Sequence, residues 1–180
     1  MTQKPIERAK KKIAEIKRTL AAEKRKFGWY DDGRGLRYLP TKYFIQLADY
    51  SGGLTYTKWF DKNFPDDSGF PEFLFEWTII LFKTGKTKEA EKKAFQTFCS
   101  NPYWFDKFFG KPIKPLDMWH SSNLTRPEYT EALEYSSGQA DLGDFSHWLD
   151  SFISTDDFIN RSTKYMDMYK RLKTETDKEK

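Results

Sequence analysis

Residues 71–102 have the sequence PEFLFEWTIILFKTGKTKEAEKKAFQTFCSNP, and this stretch decides the fold class of the chain. Its first half places apolar or small side chains at positions i, i+3, i+4 and i+7, which form one face of an α-helix. These side chains are Leu74, Trp77, Thr78 and Leu81. Gly85 follows them, and glycine readily adopts the left-handed conformation that ends a helix. The pattern therefore predicts a helix that begins at Pro71 and is terminated by Gly85.

The second half of the stretch predicts a further helix that runs from Thr87, a plausible N-cap, to Pro102. Its apolar or small face consists of Ala90, Ala94, Thr97 and Phe98. Small side chains let two helices approach closely, and the two predicted helices carry Thr78 and Ala90 at their facing positions. We therefore expect an antiparallel helical hairpin.

This hairpin resembles one repeat of the tetratricopeptide (TPR) family, with a large aromatic residue, a turn glycine, a small residue and a closing proline at the spacing of that family. The four positions are Trp77, Gly85, Ala90 and Pro102. The resemblance implies an array of helices with a groove that binds peptides or partner domains. It places the partner-binding residues on the groove side of the first helix. They are Glu72, Phe75, Glu76, Ile79, Phe82 and Lys83. The alternative is that the apolar members of this set pack against the preceding helices.

The rest of the chain predicts further helices and no large sheet. It contains no valine and only nine isoleucines, whereas β-branched residues usually fill buried strands. One helix is expected to begin at Pro40 and to close at Gly52 and Gly53, and a shorter one is expected to stop at Pro65. The final helix carries apolar residues that we expect to pack, from Phe158 to Leu172. We therefore predict an all-α fold, an irregular array of about seven or eight helices.

The basic charge of the chain is concentrated at its N-terminus. Residues 1–26 contain ten basic and three acidic side chains, and the remaining 154 residues have a net charge of −3. Apolar residues recur every three or four positions here, which predicts a basic amphipathic helix. They are Ile6, Ala9, Ile13, Ile16 and Leu20. We assign residues 1–27 to this helix and residues 28–180 to one helical domain.

Three uses of this helix compete. Its charged face can simply be solvated while the apolar stripe docks on the rest of the protein. Alternatively, its cations can bind nucleic acid or an acidic partner. The candidate contacts are Lys10, Lys11, Lys12, Lys17 and Arg18. Binding to a membrane is disfavoured, because the stripe lacks Trp and Phe anchors. We expect that deleting residues 1–26 leaves a folded body.

The sequence offers little for catalysis. Cys99 is the only thiol, His120 and His147 are the only histidines, and none of them stands at metal-ligand spacing. We therefore expect no catalytic residue, no metal and no cofactor, and we expect the protein not to be an enzyme. A single cysteine and the absence of an apolar signal or membrane span indicate a cytoplasmic location.

The favoured function is non-catalytic protein binding, as an adaptor, scaffold or regulator that uses a helical groove and exposed aromatic side chains. The chain has 32 aromatic residues, and aromatic side chains are common anchors of protein interfaces. Two alternatives remain open. One is a nucleic-acid-associated protein that uses the basic helix, and the other is a small cytosolic inhibitor or immunity-type protein.

Overall fold

The computed structural model of the chain describes residues 3–30 and 32–175. Over these residues the protein forms eight α-helices and four short 3₁₀-helices, and it contains no β-strand. The predicted all-α fold is confirmed.

The α-helices are numbered in chain order. They are α1 (Gln3–Phe27), α2 (Pro40–Gln46), α3 (Tyr50–Asn63), α4 (Pro71–Lys83), α5 (Thr87–Ser100), α6 (Trp104–Phe108), α7 (Gly143–Ile153) and α8 (Asp156–Thr174). The 3₁₀-helices are Leu36–Tyr38, Asn123–Thr125, Pro127–Ala132 and Ala140–Leu142.

The chain divides into two compact units, Met1–Ala90 (unit 1) and Glu91–Lys180 (unit 2). Unit 1 contains α1 to α4 and the first residues of α5, and unit 2 contains the rest of α5 and the helices after it. This division differs from the predicted one, in which residues 1–27 stand apart from a single domain of residues 28–180. The basic helix α1 is part of unit 1, because it packs on α2 and on the 3₁₀-helix Leu36–Tyr38.

The core of unit 1 forms where α2, α3 and α4 pack against one another. Large aromatic side chains fill it, since β-branched apolar residues are scarce in this chain. Phe60, Phe73 and Tyr56 are almost completely buried, and the rings of Phe60 and Phe73 lie 4.6 Å apart. Leu20 of α1 is only 1% exposed, so α1 contributes to this core as well.

Gly52 and Gly53 do not close a helix, contrary to the prediction. They lie in the first turn of α3, where close packing requires the absence of a side chain. A Cβ atom on Gly52 would lie 2.8 Å from Phe44 Cε1, and one on Gly53 would lie 2.9 Å from Ile80 Cδ1. Glycine is therefore used here for close approach.

A polar network ties the segment before α2 to the turn between α3 and α4. The Asp32 carboxylate accepts hydrogen bonds of 2.8 Å from the backbone N–H groups of Leu36 and Arg37. The Arg37 guanidinium in turn donates to Asp32 and to Asp67, and the Tyr38 hydroxyl donates to Asp67. These bonds fix the segment that leads into α2.

Helix α4 ends as predicted. Gly85 has φ of 71°, and its N–H donates to Phe82 O while the N–H of Lys86 donates to Leu81 O. The left-handed glycine at this turn is therefore confirmed. The bounds of α4 and α5 agree with the two predicted helices, and the hairpin and the TPR resemblance stay predictions.

Unit 2 is built around a second aromatic core. Its fully buried members include Trp104, Phe108, Phe145 and Leu149. Asn101 organises the irregular segment beside them, because its buried amide donates to Leu124 O at 2.6 Å and to Arg126 O at 3.0 Å.

The packing predicted for α8 is only partly correct. Phe158 is buried, but Ile159 is 48% exposed and Leu172 is 42% exposed. The Tyr165 hydroxyl donates to Cys99 O at 2.6 Å, which anchors one side of α8. A long helix with one anchored side leaves its other apolar residues in solvent.

Candidate binding cleft

A cleft of about 720 Å³ lies within unit 1, between the N-terminal half of α1 and the C-terminal end of α2. Its volume is within the range of ligand-binding clefts, about 300–1,000 Å³. The apolar lining consists of Ile6, Ile13, Ala14, Phe44, Leu47 and Ala48. The polar lining consists of Lys10, Lys17, Gln46 and Asp49.

The different lengths of α1 and α2 explain the cleft. At a rise of 1.5 Å per residue, α1 spans about 38 Å and α2 about 10 Å. The apolar stripe of α1 is buried from Ala9 to Leu20, but it continues to Ile6, which is only half-buried. Since α2 ends at Gln46, the N-terminal turns of α1 extend past it with one apolar side incompletely covered.

The wall at the end of α2 contains a strained residue. Ala48 has φ of 51°, in the left-handed region that costs a non-glycine residue about 1–3 kcal/mol. Its N–H donates to Ile45 O at 2.9 Å, and the next N–H, that of Asp49, donates to Phe44 O at 3.0 Å. The left-handed conformation of Ala48 thus ends α2 and turns the chain into α3. Because α2 stops here, it does not cover the cleft on this side.

Two lysines line the cleft on α1. Lys10 and Lys17 are seven residues apart, so they project from the same side of the helix two turns apart. The Lys17 Nζ atom lies 5.6 Å from the ring centroid of Phe44 and 5.9 Å from that of Tyr56, within the range of a cation–π interaction. Lys24 continues this row, with its Nζ atom 4.7 Å from the ring centroid of Tyr30.

The charge of the cleft is positive. Among the residues that the structure describes, neither Lys10 nor Lys17 forms an ion pair. Asp49 also lines the cleft, but its carboxylate caps α3 by accepting a hydrogen bond of 2.9 Å from the N–H of Gly52. The positive end of α3 compensates that negative charge. Unit 1 as a whole has eighteen basic and twelve acidic side chains.

The five cations predicted to contact nucleic acid or an acidic partner fall into two groups. Lys10 and Lys17 line the cleft, whereas Lys11, Lys12 and Arg18 are exposed and do not line it. Within the second group, Lys12 pairs with Glu15 at 3.4 Å, and Arg18 Nε donates to Ala14 O at 3.3 Å.

The predicted partner-binding residues on α4 do not form an open surface. Phe75, Glu76 and Ile79 are buried, and Phe75 and Ile79 have no exposed area at all. The Thr41 hydroxyl donates to Glu76 Oε2 at 2.6 Å, so this carboxylate takes part in the interior of unit 1. The remaining three predicted residues, Glu72, Phe82 and Lys83, are half-buried.

Many of the aromatic side chains lie in the core rather than on the surface. Tyr103, Trp104, Phe105 and Phe108 are all buried. Two tryptophans are exceptions, since Trp29 is 65% exposed and Trp119 is 46% exposed.

The sequence does not predict that residues at the C-terminal end of α2 line a cleft. Gln46, Leu47 and Ala48 line the cleft only because α2 ends earlier than Gly52 and Gly53 suggest. One signal was available on α1, because lysines at positions 10, 17 and 24 repeat every seven residues beside the apolar stripe.

Cys99 and His120, two of the chemically reactive side chains, are both half-buried in unit 2. Burial raises the pKa of the Cys99 thiol to about 11, which suppresses the nucleophilic thiolate. The His120 ring stacks on Tyr103, and its Nδ1 atom lies 3.0 Å from Thr125 O. Within residues 3–30 and 32–175, no three His, Cys, Asp or Glu side chains are placed to hold a metal ion.

Comparison with protein-family models, with curated proteins and with solved structures finds no match to this chain. In the part of the chain that the structure describes, no helix combines the length and the apolar character needed to cross a membrane.

Proposed function

We propose that this protein is a non-catalytic protein-binding module that takes a segment of its partner into the cleft between α1 and α2. One observation carries this function: an apolar cleft of about 720 Å³ is bordered by two lysines that have no ion pair in the described part of the chain. Apolar walls supply the contact area, and a few charges at the border supply orientation and specificity.

Binding of this kind requires no cofactor and no catalytic group, and it suits an adaptor, a scaffold or a regulator. A cytoplasmic location is part of the same proposal, supported by the single free cysteine. The exposed Trp29 and Trp119 are additional candidate contacts for partners, since tryptophan often anchors interfaces.

Site-specific photo-crosslinking in the native cell tests the cleft. A photoreactive amino acid replaces Gln46, which lines the cleft and is exposed. The matched control carries the same group at Lys58, an exposed position of α3 that does not line the cleft. We expect one protein to crosslink from Gln46 and not from Lys58. Identical crosslinking patterns from the two positions, or none from Gln46, would contradict the function.

A second candidate function, nucleic-acid binding, is favoured by the exposed cations of α1 outside the cleft. These cations are Lys4, Arg8, Lys11, Lys12, Arg18, Lys24, Arg25 and Lys26. Trp29 follows the end of this helix and is 65% exposed, so its ring can stack on an unpaired base.

Titration of a single-stranded oligonucleotide at several salt concentrations tests this second candidate. Each phosphate contact should add about 0.7 to the slope of log affinity against log salt. If the protein binds nucleic acid, oligonucleotide affinity should fall in the variants Lys11→Glu/Arg18→Glu and Trp29→Ala. If the wild-type protein binds no oligonucleotide at low salt, the nucleic-acid function is wrong.

A further inference from the structure

We infer that the segment bound in the cleft is an amphipathic helix with two acidic side chains seven residues apart. This inference rests on the proposed function and names the chemistry of the partner. It follows from the arrangement of the lining residues along α1, from the charge of the two lysines and from the shape of the opening.

The lining residues of α1 form one continuous strip. The strip consists of Ile6, Lys10, Ile13, Ala14 and Lys17, and each of them lies three or four positions from another member, which places them along one side of the helix. From Ile6 to Lys17 the strip is about 16 Å long, which is about three helical turns. A partner helix lying along this strip can present apolar residues to Ile6 and Ala14 and acidic residues to Lys10 and Lys17.

The distance between Lys10 and Lys17 determines the spacing of the two acidic side chains on the partner helix. Because these lysines are seven residues apart, their Cα atoms are separated by about 10.5 Å along the axis of α1. Carboxylates at positions i and i+7 of a neighbouring helix have the same separation. A single small anion would meet only one of two such charges at a time, so an extended ligand with two carboxylates fits better.

The apolar lining distinguishes this ligand from a nucleic acid. A phosphate backbone would contact Lys10 and Lys17 but would gain nothing from the apolar side chains of Ile6, Ala14 and Leu47. An amphipathic helix uses both kinds of lining, and a helix that lays its apolar face in a groove is a common mode of peptide recognition. The net positive charge of unit 1 also attracts an acidic segment.

Two labelled synthetic peptides of about 15 residues, stapled to be helical, test the inference. Both carry leucines at the positions that face Ile6 and Ala14. One peptide has glutamates at two positions seven apart, and the other has lysines at the same two positions. Fluorescence anisotropy measures the Kd of each peptide for the full-length protein.

The protein variants form a matched pair. Lys10→Glu/Lys17→Glu reverses the charge in the cleft, and Lys11→Glu/Arg18→Glu makes the same change of net charge at two exposed positions that are also seven apart. Circular dichroism verifies that each variant is folded. Lys10→Glu alone serves as a second variant, because it leaves the contact of Lys17 with Phe44 intact.

We expect the wild-type protein to bind the acidic peptide about tenfold more tightly than the basic one, as two charge pairs at a partly exposed site allow. The cleft variant should prefer the basic peptide, and the control variant should keep the wild-type preference. The inference is overturned if both peptides bind equally, if neither binds, if the control variant loses the preference, or if an oligonucleotide displaces the acidic peptide.

The peptide experiment and the crosslinking experiment separate a failure of this inference from a failure of the proposed function. If Gln46 crosslinks a cellular protein but the acidic peptide does not bind, the protein-binding function stands and the acidic helix is wrong. If the acidic peptide binds and no cellular protein crosslinks from Gln46, the protein-binding function is wrong.

Discussion

The Arg37 guanidinium donates a hydrogen bond of 2.7 Å from its Nε atom to Asp67 Oδ2, and this bond joins the segment before α2 to the turn after α3. The Tyr38 hydroxyl donates to the same carboxylate at 2.7 Å, and the N–H of Gly69 donates to it at 2.9 Å. Two donors from the 3₁₀-helix Leu36–Tyr38 and one from the turn itself therefore meet at one acidic side chain. These hydrogen bonds favour the ionised form of the Asp67 carboxyl.

Asp67→Asn should destabilise unit 1 at neutral pH and remove part of its sensitivity to acid. Burial raises the pKa of the Asp67 carboxyl, but the hydrogen bonds from Tyr38 and Arg37 outweigh this and hold the pKa below its ordinary value of 3.8. A lowered pKa stabilises the fold above the unfolded-state pKa, and this stability is lost as pH falls through the folded-state pKa. We expect a loss of about 1–3 kcal/mol at pH 7.

Urea unfolding at pH 7 and at pH 3 measures this effect. The difference between wild type and Asp67→Asn should shrink at the lower pH. Asp61→Asn, at an exposed position of α3, is the matched control and should change little at either pH. A difference that is the same at both pH values would show that the charge of Asp67 does not stabilise the fold.

Ala48→Gly should stabilise the protein. Glycine adopts the left-handed conformation of residue 48 without the steric penalty that alanine has, and only part of that gain is offset by its greater flexibility when unfolded. We expect a gain of about 0.5–1 kcal/mol in the free energy of unfolding.

The control substitution for this prediction should change the stability in the opposite direction. Ala22→Gly makes the same chemical change at an exposed position inside α1, where glycine costs about 0.5–1 kcal/mol. Thermal unfolding followed by circular dichroism compares the two variants. A loss of stability in Ala48→Gly would mean that the alanine methyl group contributes more to the cleft wall than its strain costs.

Gly52→Ala should destabilise unit 1, although alanine is the better helix former. Its new methyl group would lie 2.8 Å from Phe44 Cε1 and would also displace the Asp49 carboxylate that caps α3. Overpacking of this kind typically costs about 1–3 kcal/mol. Chemical denaturation measures it, and Gly138→Ala is the control because a Cβ atom there meets nothing within 4 Å. Equal stability of the two variants would show that α3 can shift to accept a side chain.

These positions also show what the sequence can and cannot predict. Helix α4 and its end at Gly85 are correctly predicted, because apolar periodicity and a left-handed glycine are local signals. Gly52 and Gly53 are misread by the same rules, because a glycine required for close approach has the same sequence signature as one that ends a helix. The distinction depends on Phe44 and Ile80, which lie on other helices.

The cleft was predictable only on its α1 side. The stripe from Ile6 to Leu20 and the lysines beside it follow from helical spacing. The opposite wall depends on the early end of α2 and on the left-handed Ala48, which the surrounding structure imposes on a residue that disfavours this conformation. A related limit applies to the α4 residues predicted to bind a partner: spacing identifies a second apolar face, but only the tertiary structure shows that Phe75 and Ile79 are buried.

Cys99 should react slowly with a thiol reagent in the folded protein. Burial raises its pKa to about 11, so at pH 8 only about one molecule in a thousand carries the reactive thiolate. We expect slow labelling by Ellman's reagent in buffer and complete labelling in denaturant. A Lys58→Cys variant supplies an exposed thiol as the control, and its added cysteine should react at once. Rapid labelling of the wild-type protein would indicate an accessible, activated thiol and would reopen the question of catalysis.

Leu20→Ala should destabilise unit 1 by about 2–5 kcal/mol, the usual cost of removing a buried leucine side chain. Leu20 is 1% exposed, and it lies on the same stripe as Ile13 and Ile16, which are also buried. Arg25→Ala, at an exposed position of the same helix, is the control and should stay within about 0.5 kcal/mol of wild type.

For the same reason, deletion of residues 1–26 should unfold unit 1 rather than leave a folded body. Urea unfolding of the variants and circular dichroism of the deletion measure both effects. A truncated protein that keeps the helical signal expected for α2 to α4 and a cooperative transition would show that α1 only covers a core that is already stable, and Leu20→Ala would then cost little.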